Sequence, residues 1–223
     1  MTAPASHQHI PIVDCGEPLV DLRLEGGLRW GPPPERPETE PDYCWVRQGV
    51  YQRLLRVQAA LPRGLYLRLY EGYRSLEIQR WLFDEEKRRV AAAEPRLSPR
   101  EVHERATILV APPAHWDGTP NIPPHSTGAA IDIEIVDEAG RVIDFGMEVK
   151  DWTRVPAAFC ETRHAALAPE AQANRLLLAG AMQAQGFVNY AREWWHYSYG
   201  DRYWAWLSGK PQAIYGPVQR PAT

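Results

Sequence analysis

Hydrophobic periodicity in the first half of the chain predicts helices on either side of a strand. Apolar residues recur at helical spacing between residues 46 and 60. Residues 65–71 alternate leucine with polar or aromatic residues, which is typical of a strand. Ser75 is then placed to cap a helix that runs to about Ala93, and Ser98, followed by proline, begins another helix. This half therefore mixes both kinds of element.

The second half continues this mixture. Residues 130–135 predict a strand, and 137–142 predict a hairpin turn that leads into a short return strand. Residues 169–185 form the clearest amphipathic helix, and residues 187–200 read as a strand or hairpin that closes the core. Because strands and helices follow each other without strict βαβ alternation, we expect an α+β fold with a central antiparallel sheet flanked by helices.

One predicted strand carries carboxylates inside an apolar run. Period-2 alternation places Ala130, Asp132 and Glu134 on one face of the strand. The isoleucines between them form the other face, and we expect that face to pack into the core. Asp132 is then expected to point toward a helix layer or a cleft.

Composition and charge narrow the class of protein. The 223 residues suit one large domain or two very small ones, and a hydrophobic fraction of 44% allows a full core. The net charge of −3, without long runs of one sign, argues against a nucleic-acid-binding surface. The 21 prolines concentrate in 32–41, 112–124 and 211–221, where we expect ordered loops. We expect one domain over 1–223, with 1–17 and 211–223 as peripheral tails.

The chain offers no pattern for membranes, export or disulfides. It has no apolar stretch of about 18 residues, as a membrane span requires. Its first residues lack the basic and apolar regions of a secretory signal. Three widely spaced cysteines form neither a disulfide framework nor a CxxC pair. A cytoplasmic protein without a membrane partner is expected, with a periplasmic location as the alternative; the pattern sets no oligomeric state.

Several polar residues could form a metal-dependent active site. His125 precedes a glycine turn that can bring it toward Asp132, and imidazole and carboxylate are both zinc ligands. His196 could complete a set of three ligands, and Glu193 could then act on a bound water. Arg74 follows a predicted strand and could stabilise oxyanion charge. The simpler alternatives are a histidine bonded to a loop carbonyl, a solvated aspartate, polar residues flanking core tryptophans, and a surface arginine.

Three motifs, taken together, resemble the D-alanyl-D-alanine dipeptidases. EGYR at 71–74, HSTGAAID at 125–132 and EWWH at 193–196 occur in the order and at about the separations found in that family. Its members are zinc peptidases related to D,D-carboxypeptidases, with the fold of the hedgehog signalling domain. The resemblance spans roughly Pro18 to Tyr203. It implies one zinc ion per chain and hydrolysis of a small dipeptide, D-Ala-D-Ala, to free amino acids.

The resemblance also implies residue roles. Its zinc ligands would be His125, Asp132 and His196, with Glu193 as catalytic base and Arg74 polarising the scissile carbonyl.

Substrate contacts are less closely matched to the family. In the vancomycin-resistance members, the segment corresponding to DFGMEVKDW supplies a carboxylate for the substrate ammonium. Here Asp151 and Glu148 are alternative equivalents of that carboxylate, and Ser126 and Tyr73 are further candidates for substrate binding. The alternative functions are a D,D- or L,D-carboxypeptidase acting on peptidoglycan stem peptides, or a non-catalytic zinc-binding module on the same fold.

Overall fold

A computed structural model describes residues 7–221 of the chain. The strands are β1 (Leu19–Asp21), β2 (Arg29–Trp30), β3 (Trp45–Arg47), β4 (Tyr66–Glu71), β5 (Ala130–Val136), β6 (Val188–Asn189) and β7 (His196–Ser198). The α-helices are α1 (Leu22–Glu25), α2 (Gln48–Ala60), α3 (Leu76–Ala93), α4 (Pro99–Ala106), α5 (Pro169–Ala184) and α6 (Arg202–Leu207). Short 3₁₀ helices cover His7–His9, Pro37–Thr39, Pro124–Thr127, Val149–Arg154 and Ala157–Cys160.

The central sheet confirms the predicted α+β fold. Its five strands lie in the order β2-β4-β5-β7-β6, and all neighbouring pairs are antiparallel except the edge pair β2 and β4. A separate two-stranded sheet joins β1 to β3. Helices pack around these sheets over one main hydrophobic core.

Strand β5 lies in the middle of this sheet and is buried along its whole length. Its isoleucines enter the core as predicted. The opposite face is also covered, so Asp132 and Glu134 are buried carboxylates. Glu134 is satisfied by Arg68 of β4, whose Nη2 lies 2.6 Å from Glu134 Oε1. Asp132 is satisfied in a different way, described below.

Local sequence signals place the starts of α3 and α4 correctly. The Ser75 hydroxyl accepts a hydrogen bond from the backbone N–H of Ile78 at the start of α3. Ser98 and Glu101 form a reciprocal capping box at the start of α4. Within residues 7–221, every helix is too short or too polar to cross a bilayer.

Two predicted elements differ from those in the structure: the start of α2, where strand pairing overrides helical spacing, and the return strand after residue 142. Residues 45–47 pair with β1, so α2 begins only at Gln48. The predicted return strand after the 137–142 turn is reduced to an isolated bridge between Val136 and Val142, with one further backbone bond from Ile143 to Ile135.

Parts of the terminal segments, which we expect to be peripheral tails, pack against the rest of the described chain. Ile12 pairs with Ala213, and the side chain of Tyr215 is buried. Arg47 ties the segments together: its guanidinium donates to Asp14 Oδ2 at 2.8 Å and to the Gly216 carbonyl at 3.0 Å. These contacts bury apolar side chains of both ends against the domain.

Candidate active site

A row of polar side chains crosses the middle of the central sheet. Asp132 of β5 is the register partner of Glu71 in β4 and of His196 in β7. A β-bulge in β4 falls just before Glu71. Because register partners on antiparallel strands project from the same face, these three side chains converge. All three are buried.

His125 reaches the same place from the turn before β5. The 3₁₀ helix Pro124–Thr127 ends at Gly128, whose φ of 68° is left-handed. The His125 Nδ1–H donates to the Gly72 carbonyl at 2.7 Å, which leaves Nε2 free to face Asp132. Ser126 Oγ donates to the Arg74 carbonyl at 2.9 Å and fixes the turn against the end of β4.

The three proposed ligands fit a tetrahedral metal site. His125 Nε2 and His196 Nδ1 are 3.2 Å apart, and the Asp132 oxygens lie 2.9 Å from His196 Nδ1 and 3.6 Å from His125 Nε2. Donors bound to one tetrahedral zinc at about 2.0–2.1 Å are separated by roughly 3.3 Å. Burial raises the pKa of Asp132, but the charges and hydrogen bonds of both histidines outweigh it and hold the pKa well below its usual range. The set therefore suits a divalent cation.

Arg74 is held beside this cluster by two side chains. Its Nε and Nη2 bond both carboxylate oxygens of Glu71, and its Nη1 donates to Gln79 Oε1 at 3.0 Å. Nη2 also lies 4.0 Å from Asp132 Oδ2. The guanidinium is thus a buried, oriented cation next to the three ligands. Sequence reasoning selected Arg74 but not Gln79, which belongs to no motif.

Glu193 approaches the cluster from the turn before β7. Its Oε2 lies 3.8 Å from His196 Nδ1, too far to replace a ligand but close enough to reach the same small volume. The Glu193 carbonyl accepts from Asn189 Nδ2 at 3.0 Å, which anchors the turn. Burial, with the charge of Asp132, raises the pKa of Glu193 well above its usual value.

These groups line one cavity of about 400 Å³. The proline-rich loop over 112–124 forms part of the wall, through Pro112, Trp116 and Ile122 among others. Of the EWWH tryptophans, Trp195 lines the cavity, whereas Trp194 stacks on Phe145 in the core. Further residues in the lining that sequence reasoning missed are Glu35, Tyr70, Gln79, His103, His115, Tyr190 and Tyr203. Most come from separate segments, so tertiary folding alone brings them together.

The predicted substrate-binding residues do not reach the cavity. Tyr73 donates its hydroxyl to the Val218 carbonyl at 3.0 Å, and Ser126 is bonded to Arg74 as described. Glu148 pairs with Lys150 at 2.7 Å, and Asp151 pairs with Arg154 at 2.8 Å. None of the four belongs to the cavity lining.

Comparison with known proteins decides the family. Residues 39–205 match the peptidase family M15, described as D-ala-D-ala dipeptidase. The chain belongs to this family.

Two curated family relatives carry the same name. A D-alanyl-D-alanine dipeptidase of Synechocystis sp. (strain ATCC 27184 / PCC 6803 / Kazusa) is 31% identical over 88% of this M15 chain and 87% of its own length. A D-alanyl-D-alanine dipeptidase of Escherichia coli (strain K12) is 40% identical over 33% of this chain and 36% of its own. The prediction of an enzyme of the D-Ala-D-Ala dipeptidase type is thereby confirmed.

Solved structures with a similar backbone are more distant from this M15 peptidase. A vancomycin-resistance D,D-pentapeptidase, VanY, in complex with Zn(II) is 18% identical, with a TM-score of 0.44 over 74% of this chain and 80% of that chain. The LdcB LD-carboxypeptidase is also 18% identical, with a TM-score of 0.47 over 87% of this chain and 73% of that chain.

Proposed function

We propose that this M15 peptidase is a zinc-dependent dipeptidase that hydrolyses D-alanyl-D-alanine or a closely related dipeptide. The supporting observation is the convergence of three possible ligand side chains, the buried carboxyl group of Glu193 and the oriented Arg74 at one cavity. The family and both named relatives favour D-Ala-D-Ala as the substrate.

His125, Asp132 and His196 would hold the metal. A set of two imidazoles and one carboxylate would leave a zinc ion able to bind water, as in catalytic rather than structural zinc sites. A zinc ion bound there would polarise the scissile carbonyl and lower the pKa of water to about 7. One ion per chain is expected.

Glu193 is proposed as the general base. Burial raises the pKa of Glu193, which makes its carboxylate a stronger acceptor for a proton from water; the carboxyl group can later donate that proton to the leaving amine. Its position outside the ligand set keeps one oxygen available for this transfer.

Arg74 is proposed to stabilise the negative charge that develops on the carbonyl oxygen. A permanent cation fixed by Glu71 and Gln79 needs little reorganisation as that charge appears. The Glu71 carboxylate also offsets the cost of burying the guanidinium before substrate arrives.

A hydrolysis screen tests the proposed substrate class. Zinc-loaded protein is incubated with D,D-, L,D- and L,L-dipeptides, each with a free or acylated amine, and released amino acids are quantified. Preferred cleavage of free-amine D,D-dipeptides is the expected result, abolished by a zinc chelator and restored by zinc. Preferred cleavage of acylated substrates would instead indicate a carboxypeptidase, and chelator-resistant turnover would exclude a zinc mechanism.

A further inference from the structure

We propose that Glu35 is the residue that binds the α-ammonium group of the substrate, and so selects peptides with a free amine. This inference rests on the proposed dipeptidase function. It assigns a role to a residue that belongs to none of the three motifs and lies in the proline-rich loop between β2 and β3.

Glu35 is built into the cavity wall by an unusual backbone conformation. Its φ of 60° makes it the one non-glycine residue with positive φ in the described chain. Such conformations cost energy in a residue with a Cβ and tend to be kept where they serve a site. Hydrogen bonds fix the loop on both sides of Glu35, because Thr39 Oγ1 contacts the carbonyls of Pro34 and Arg36 at 2.9 and 2.8 Å.

The carboxylate is oriented and has no cationic partner among residues 7–221. Glu35 Oε1 accepts a hydrogen bond from Trp152 Nε1 at 2.9 Å. The neighbouring Arg36 turns away to pair with Glu38 at 2.7 Å, so it does not neutralise Glu35. Although the residue as a whole is exposed, its carboxyl group faces the cavity, and burial there raises its pKa.

The balance of charges in the cavity indicates that Glu35 binds a positively charged group. Within the described lining, Arg74 is the only permanent cation, and it is already paired with Glu71. A divalent metal would balance Asp132 and Glu193, whereas Glu35 would keep an uncompensated negative charge. A zwitterionic dipeptide brings one positive group into this cavity, its α-ammonium, and a carboxylate is the natural partner for it.

The alternatives suggested by the sequence are less suitable for this role. Asp151 and Glu148 form their own ion pairs outside the cavity lining. Glu35 comes from a different segment of the chain and lines the same cavity as Asp132 and Arg74. It is therefore the better candidate for the carboxylate that binds the ammonium group.

The test compares Glu35→Gln with two matched variants. Glu38→Gln removes an equal charge from the same loop outside the cavity, and Asp151→Asn removes the carboxylate that the family resemblance suggested. Steady-state kinetics are measured with D-Ala-D-Ala as substrate. Calorimetry in a Glu193→Gln background then measures the affinity for D-Ala-D-Ala and for propionyl-D-alanine, which lacks the amine. Bound zinc and melting temperature are recorded for every variant.

We expect Glu35→Gln to raise the KM for D-Ala-D-Ala by ~10- to 100-fold, as for a lost charge-assisted contact, with a smaller change in kcat. Affinity for propionyl-D-alanine, zinc content and melting temperature should stay near parental values, and Glu38→Gln should behave like the parent. An unchanged KM in Glu35→Gln, or the same loss in Asp151→Asn instead, would overturn the assignment. If the parental protein cleaves no D,D-dipeptide, the proposed function fails and this inference fails with it.

Discussion

The Glu193 carboxyl group lies beside the proposed metal ligands without belonging to them. Replacing it with the isosteric amide should therefore leave the ligand set intact and remove the proton acceptor. We expect Glu193→Gln to retain one zinc per chain and to lose at least ~100-fold in kcat, the scale of a lost general base. Parallel measurement of turnover and metal content checks this.

Glu161→Gln is a suitable control, since Glu161 pairs with Arg192 at 3.4 Å outside the cavity. Parental turnover in Glu193→Gln would show that another group accepts the proton.

His196 is expected to behave differently from Glu193, because its Nδ1 points directly at Asp132 from 2.9 Å. His196→Ala should lose zinc itself, with an affinity lower by at least ~10-fold, since three protein ligands are the minimum for a catalytic site. Competition with a chromogenic chelator measures this. His9→Ala, which removes an exposed histidine outside the cavity lining, is the matched control. Equal zinc affinity in both variants would contradict the ligand set.

Single residues differ in how far the sequence alone could assign them. His125, Asp132, His196, Glu193 and Arg74 sit in short motifs, and the structure brings all five to one cavity. Their chemical roles remain predictions. Glu35 carries no local signal, because its significance comes only from the folding of a distant loop over the sheet. The family resemblance offers Asp151 and Glu148 as alternatives, but Asp151 pairs with Arg154 and does not line the cavity.

At the scale of elements, the turn before β5 contributes both to the stability of the fold and to the position of His125 in the candidate active site. Gly128 has a φ of 68°, and a Cβ there would clash with Leu19 Cδ2. Gly128→Ala combines left-handed strain with this clash, so we expect it to lower the free energy of unfolding by ~2–3 kcal/mol. Because the same turn carries His125, zinc affinity should fall as well. Urea denaturation and chelator competition measure the two effects.

Gly118→Ala distinguishes the cost of left-handed backbone strain from the cost of the clash with Leu19. Gly118 has a φ of 84° with open space around its Cβ position, so its substitution should cost only ~1 kcal/mol of left-handed strain. An equal loss of unfolding free energy in the two variants would mean that the Leu19 side chain moves aside at no cost.

Elements with local signals were predicted best. The serine caps of α3 and α4 act within one helical turn, so they can be recognised without tertiary information. The helical spacing of residues 46–60 places Val46 and Arg47 in a helix, although both belong to strand β3. What makes it a strand is its pairing with β1, a non-local contact that periodicity does not record.

At the scale of the whole molecule, the packing of the terminal segments also depends on non-local contacts that the local sequence pattern does not predict. Residues 211–221 are rich in proline and lack periodicity, a pattern typical of a loop. Their burial depends on Arg47, whose guanidinium bonds the Gly216 carbonyl on one side and the Thr127 carbonyl at 2.8 Å on the other. A buried arginine that bridges distant segments cannot be recognised before its partners are known.

Deletion of 211–223 is therefore expected to destabilise the domain and to disturb the site. Removing the buried Tyr215 ring and leaving Arg47 without the Gly216 carbonyl should lower the free energy of unfolding by at least ~3 kcal/mol. Zinc affinity should also fall, since Arg47 holds the Thr127 carbonyl in the turn that carries His125. Urea denaturation of the truncated chain, with deletion of 221–223 as the control, measures the first effect.

Tyr215→Ala in the full-length chain provides a graded version should the truncated chain fail to fold. It removes the ring that lies 5.1 Å from the Arg47 guanidinium carbon, and by analogy with other buried aromatic residues it should cost ~3–5 kcal/mol. Parental stability and zinc affinity in this variant would show that the segment is peripheral after all. A loss of both would establish that the C-terminal segment supports the turn on which His125 is carried.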